Sequence, residues 1–181
     1  MLRLPIPRHL SETLVLSCDD HNEFSVVGNI ACKCGNNHLQ VHFIGNEDES
    51  GSILVTKETE INEFGQGEID FVLQVIAVCN ACQDRIMVFD RRTHGWDGYI
   101  RDQSQIKDIS SLSQIRHCPK CQHTEHIIEV EISNLGIEDF KINASEKPEE
   151  DWTEGFEWLI VNLECCNCGH RDDGWIDLEC M

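Results

Sequence analysis

Four cysteine pairs hold the chemistry of this 181-residue chain: Cys32/Cys34, Cys79/Cys82, Cys118/Cys121 and Cys165/Cys168. Cys32 stands as far before Cys82 as Cys118 stands before Cys168, and one step separates both Cys79 from Cys165 and Cys82 from Cys168. Matched spacing of this kind marks a duplicated unit in which each copy supplies four sulfurs. Two cysteines with two residues between them fit one tight turn with both sulfurs pointing inward. Two such turns facing each other build the tetrahedral four-thiolate cage that zinc favours, with bonds near 2.3 Å. The expected cofactor is therefore zinc, two structural ions per chain, although iron accepts the same four sulfurs. A cage closed by four thiolates keeps no position for water or substrate, so neither site is expected to be catalytic.

Details within the pattern differ. Cys32 and Cys34 have one residue between them rather than two, which tightens the first turn. Gly35 follows it, and glycine there permits a left-handed backbone close to the metal. Gln83 and Gln122 hold the corresponding places after Cys82 and Cys121, where they fit that backbone less easily. Cys165 and its neighbour Cys166 compete for one ligand position. The repeat register favours Cys165, and strand alternation would turn Cys166 to the opposite face. Cys18 reads as a small buried hydrophobe and Cys180 as an exposed terminal thiol. His38, His94, His117, His123, His126 and His170 lie near the pairs, but four cysteines per site already complete the ligand set.

The elements that position these cysteines read as strands. LVLS (14–17), FSVVGNI (24–30) and LQVHFI (39–44) are short β-leaning runs, and FVLQVIAV (71–78) enters Cys79 while IMVF (86–89) leaves its pair. IIEVEI (127–132) alternates apolar with acidic residues, FEWLIVNLE (156–164) runs into Cys165, and GWIDLE (174–179) closes the chain. Ile106, Ile109, Leu112 and Ile115 recur every three residues, consistent with one short helix or irregular packing between the copies. The division expected is an N-terminal β extension over 1–30 packed on a first unit at 31–110, followed by a second unit at 111–181. Each unit is small for a core of its own, so a structural metal is a plausible staple.

The order of knuckle, strand, loop, strand, knuckle, strand resembles the zinc-ribbon family, with HCPKC (117–121) and CNCGH (166–170) the most typical segments. The resemblance covers most of residues 30–95 and 115–181. It implies a mainly β fold of two tandem zinc-ribbon-like units, and it brings nucleic-acid binding into view, because many zinc ribbons serve there.

Composition argues about partners. The formal net charge is −19, and such a surface repels phosphate backbones. The stretch DRIMVFDRRTHGWDGYIR (84–101) is locally basic and aromatic; Arg85, Arg91, Arg92, Arg101, Trp96 and Tyr99 could contact nucleic acid by charge and stacking. The competing expectation is that these arginines pair with neighbouring acids while the aromatics cover the ribbon edge. The favoured reading is a non-enzymatic binding or adaptor protein that meets a protein partner through its acidic surface. Trp152, at the edge of the acidic loop 145–151, is the better interface candidate there, and Trp158 within its strand is expected in the core. A metalloenzyme or redox protein is the weaker class: no phosphate-binding glycine loop, nucleophile elbow or HExxH helix is present. No apolar run reaches the length of a membrane span. The N-terminal stretch, with two prolines and no continuous apolar segment, does not read as a signal peptide, so a reducing cytoplasm is expected.

Overall fold

Alternation of apolar and polar residues organises the fold. In a computed structural model the strands are β1 (Leu14–Leu16), β2 (Ser25–Ile30), β3 (Leu39–Ile44), β4 (Asn46–Glu47), β5 (Ile53–Leu54), β6 (Thr56–Ile61), β7 (Gly67–Val72), β8 (Gln74–Cys79) and β9 (Arg85–Asp90). Helix α1 (Gly95–Ile100) follows, then β10 (Gln114–Ile115), β11 (Glu125–Ser133), α2 (Ile137–Asn143), β12 (Trp158–Cys165) and β13 (Arg171–Glu179). The structure describes residues 6–17, 24–47, 53–54, 56–61, 67–100, 113–134, 136–144, 146–148 and 151–180. Cys18 and most of the helix or irregular packing expected around Ile106–Leu112 lie outside them; Ile115 is in β10, half-exposed.

The protein is mainly β. Nine strands form one antiparallel sheet, in the order β1-β2-β11-β3-β8-β9, with β12 and β13 continuing from β11 and β10 beside β3. β4 with β5 and β6 with β7 form two separate hairpins. The main sheet thus runs through the N-terminal extension and both cysteine units. β2, in the extension, pairs with β11 of the second unit over Ser25–Asn29.

The duplication seen in the cysteines is also written in strand register. Leu39 pairs with His126 where β3 meets β11. On one side of that point Asn29 and Gly28 face Glu129 and Val130; on the other, Ile115 and Gln114 face His42 and Phe43. Leu39↔Cys79 is matched by His126↔Cys165, and Val78↔Arg85 by Glu164↔Arg171. Both outer hairpins also carry a register shift, near Val75/Ile76 and near Val161/Leu163. The two copies are therefore related by a pseudo-two-fold between β3 and β11, as in an isologous contact.

Inward residues of both copies meet in one hydrophobic core. Val41, Phe43, Val75, Val88 and Phe89 from the first join Ile128, Val130, Leu159, Val161 and Trp175 from the second. β11 alternates strictly, with His126, Ile128, Val130 and Ile132 buried. β8 is buried along its whole length. Pairing the copies in one sheet shares a single apolar interior between units that are each short of one.

Two helices went unread in the sequence. α1 docks on the end of the second copy: Trp96 N–H donates to Phe156 O and Asp97 N–H to Cys180 O, both at 2.8 Å. Gly95 makes this approach possible. Its φ is +72°, and a Cβ there would lie 2.6 Å from that of Cys180. Cys180 is accordingly buried, not an exposed terminal thiol, and burial pushes its thiol up to about 12.

Candidate metal centres

Each cysteine pair sits on a turn that leaves one strand and enters the next. The first lies between β2 and β3, the second between β8 and β9, the third between β10 and β11, and the fourth between β12 and β13. All four turns share two backbone hydrogen bonds. The N–H of Gly35, Gln83, Gln122 or Gly169 donates to the carbonyl of the first cysteine, at 2.7–2.9 Å. That cysteine's own N–H donates to the carbonyl of Asn36, Asp84, His123 or His170, at 2.8–2.9 Å. The short Cys32–Cys34 turn closes with the same pair of bonds around one residue fewer. Residues after the second cysteine all have positive φ: Gly35 +86°, Gln83 +64°, Gln122 +61° and Gly169 +66°. The two glutamines adopt the glycine-favouring backbone at a cost of about 1 kcal/mol each.

These turns bring the eight expected cysteines into two quartets, Cys32/Cys34/Cys79/Cys82 and Cys118/Cys121/Cys165/Cys168; in each, the four Sγ atoms lie within 4.8 Å of one another. Cys32 and Cys82 are 3.3 Å apart and Cys34 and Cys79 are 3.6 Å apart. In the second quartet the matching contacts are 3.7 Å for Cys118–Cys168 and 3.5 Å for Cys121–Cys165. Sulfurs held tetrahedrally at 2.3 Å from a cation have edges of about 3.8 Å, whereas a disulfide bond is only about 2.05 Å long. The quartets therefore have the dimensions of four-sulfur cages, and the donor set fits a thiophilic divalent cation.

Electrostatics within the quartets are uneven. The Asn36 side-chain amide donates to Cys79 Sγ at 3.5 Å, and with the Cys82 and Ala81 amides it draws the Cys79 thiol down to about 6. Amide donation from His123, then from the Asn167 side chain, does the same for Cys121, to about 6. The Cys34 amide favours the Cys32 thiolate, yet burial and the sulfurs of Cys82, Cys34 and Cys79 push Cys32 up to about 12. The His170 amide likewise favours the Cys168 thiolate, while Cys121, burial, Cys118 and Cys165 push it up to about 12. Four close sulfurs cannot all carry charge unaided; a bound cation supplies the field that keeps them all thiolates.

The two quartets are wired through the sheet. Cys79, Leu39, His126 and Cys165 form one cross-strand row over β8, β3, β11 and β12, roughly 14 Å long at three strand spacings. Their surroundings have diverged. Ile30, Leu39 and Ile86 beside the first quartet become, at register-matched places in the second, Arg116, His126 and Asp172. Arg116 is buried, donates to Asp172 Oδ2 at 2.5 Å and lies 5.8 Å from the centre of the Trp175 ring. The sequence reading did not single out this ion pair; an arginine and an aspartate matching isoleucines of the other copy were the available sign.

Cys165, and not Cys166, belongs to the second quartet. Cys166 is half-buried outside it, and burial with nearby Glu125 pushes its thiol up to about 11. The histidines stand apart as well. His117 Nδ1 faces Gln122 O, His126 Nδ1 faces Thr124 O, and His123 Nε2 lies 3.4 Å from Glu125. His94 accepts the Asp90 N–H and stacks on His9, with ring centres 3.6 Å apart.

The basic stretch is tied down. Arg91 pairs with Asp97 at 3.0 Å and buried Arg92 with Asp90 at 2.7 Å. Tyr99 donates its hydroxyl to Asp151, and Trp96 packs edge-on against Phe140. Arg85 is exposed at the start of β9, and Arg101 lies outside the described residues. The two tryptophans are reversed relative to expectation. β12 turns Leu159, Val161 and Leu163 inward, so its first residue, Trp158, faces out and is 39% exposed. Trp152 instead packs against the core, and Phe156 is buried.

Two cysteine quartets able to hold metal, at the strand ends of one antiparallel sheet, are consistent with zinc-ribbon-like units. Comparisons with protein-family models, with curated proteins and with solved structures give no match to this chain. No helix among the described residues is long and apolar enough to cross a membrane.

Proposed function

We propose that this chain is a non-enzymatic adaptor, held in shape by two structural zinc ions, that binds another protein through its acidic surface in a reducing, cytoplasmic setting. The observation that supports it most is the pair of closed quartets, with sulfur contacts of 3.3–3.7 Å. Cys32, Cys34, Cys79 and Cys82 hold one ion; Cys118, Cys121, Cys165 and Cys168 hold the other. Zinc bound there supplies cross-linking between strand ends, and its binding free energy becomes folding free energy. With all four positions taken by thiolate, no ligand site remains to activate water.

A protein partner fits better than nucleic acid. The arginines of 91–92 are engaged by acids, and the net charge of −19 opposes a polyanion. Elemental analysis of protein purified without added metal tests the metal assignment. Two zinc ions per chain are expected, falling to one in Cys168→Ser and staying at two in Cys166→Ser. A coloured, iron-loaded product overturns the zinc assignment. Affinity purification from the native cell tests the adaptor role, and absence of any enriched partner counts against it.

A further inference from the structure

The outer face of β2, β11, β12 and β13 carries acidic side chains beside an exposed tryptophan. Cross-strand rows on this face run Ser25–Ser133–Trp158–Glu179 and Val27–Glu131–Ile160–Asp177. Glu129 and Glu164 continue it toward the knuckles. Trp158 is 39% exposed, and its indole N–H donates to Asp177 Oδ1 at 2.6 Å. That bond holds the partly exposed ring beside carboxylates. The cation on this face among the described residues, Arg171, already pairs with Glu129, Glu164 and Asp173 at 3.2–3.5 Å. Its charge is thus spent within the face, and the surplus is negative.

The pseudo-two-fold supplies an internal comparison. β8 is the register counterpart of β12, so Gln74, Ile76 and Val78 match Ile160, Asn162 and Glu164. The first set is buried, at 3%, 3% and 8% exposure. The second alternates outward and stays half-exposed. One face of the duplicated unit is covered in the first copy, and the same face is open, acidic and aromatic in the second.

We infer that this face docks an extended, lysine- or arginine-bearing segment of another protein, with a cationic side chain over Trp158 and neighbouring cations on Glu131, Asp177 and Glu179. Attraction between a cation and the indole face adds to charge complementarity. Val27 and Ile160 provide the apolar contact between them. This inference rests on the adaptor reading and gives it a location and a partner chemistry.

The test is a fluorescein-labelled peptide of alternating arginine and glycine, titrated into the metal-loaded full-length protein and read by anisotropy. Saturable binding that weakens with salt is expected. Trp158→Ala combined with Glu131→Lys should weaken it by about tenfold or more. Glu138→Lys on α2, which changes net charge by the same amount as Glu131→Lys, should leave it within about twofold. Amide chemical-shift mapping on the unmodified protein gives a readout free of any folding defect: shifts should centre on β11, β12 and β13. Three outcomes overturn the inference: no peptide binding at low salt, equal losses in the face and α2 variants, or shifts confined to another surface. Tighter binding of a single-stranded oligonucleotide at this face also overturns it. If the peptide misses this face while affinity purification still yields a partner, the docking face falls and the adaptor reading stands.

Discussion

Asp172→Ile should destabilise the protein far more than Asp172→Ile made together with Arg116→Ile. Arg116 is buried with its guanidinium 2.5 Å from Asp172, whose side chain is about one-quarter exposed (27%). Removing the carboxylate takes away the anion that faces this buried guanidinium. Breaking a buried pair in this way costs 3–5 kcal/mol, and partial exposure of Asp172 places this case near about 3 kcal/mol. For a chain of this length that corresponds to a fall in Tm of roughly 6–12 °C. The first copy shows what the site tolerates: Ile30 and Ile86 occupy the matched places, buried at 0% and 5% exposure. The double variant removes both charges and restores that apolar pair, so it should return to within about 1 kcal/mol of the parent. Thermal unfolding followed by circular dichroism, on samples with verified and equal metal content, measures both. A single variant that melts with the parent would show that Arg116 does not depend on Asp172. A double variant as unstable as the single would show that the register match between the copies does not extend to packing.

The His9–His94 stack makes stability depend on pH in a defined direction. Burial, then the neighbouring His94, lowers His9 from 6.5 to about 3, and burial lowers His94 to about 4 despite Asp90. The folded state therefore binds fewer protons than the unfolded state below 6.5, so this stability is present above 6.5 and is lost as pH falls toward 4. The loss is at most about 1.4 kcal/mol per pH unit for each histidine. His9→Phe should flatten the change in denaturant midpoint between pH 6.5 and 5, and an unchanged slope refutes the assignment. At the knuckles, Gln122→Gly should raise stability by about 0.5 kcal/mol, because relief of the +61° φ exceeds the added chain entropy. A lower Tm with full metal content would contradict that.

Much of the site was legible in the sequence because its determinants are local. A cysteine turn needs only its own few residues and the glycine or glutamine that follows, and the equal steps between pairs exposed the duplication directly. Strand alternation in IIEVEI and LQVHFI is equally local and set the inward faces of β11 and β3. The tryptophans show where local reading failed. Trp158 heads an apolar run that looks like core, but its outward direction follows from the phase that buries Leu159 and Val161. Cys180 looks terminal and loose, yet α1, read only as a basic stretch, packs over it.

The sequence by itself determined two groups of four cysteines and a mainly β chain. Only the tertiary structure decided that both groups brace one sheet, that β2 of the extension pairs with β11 of the second copy, and that Arg116 meets Asp172 in the core. Alternation specifies that a strand has a face to bury; it does not specify which strand, far away in the chain, lies beside it. That choice follows from register and from the burial of a shared apolar interior, which exists only once both copies are assembled.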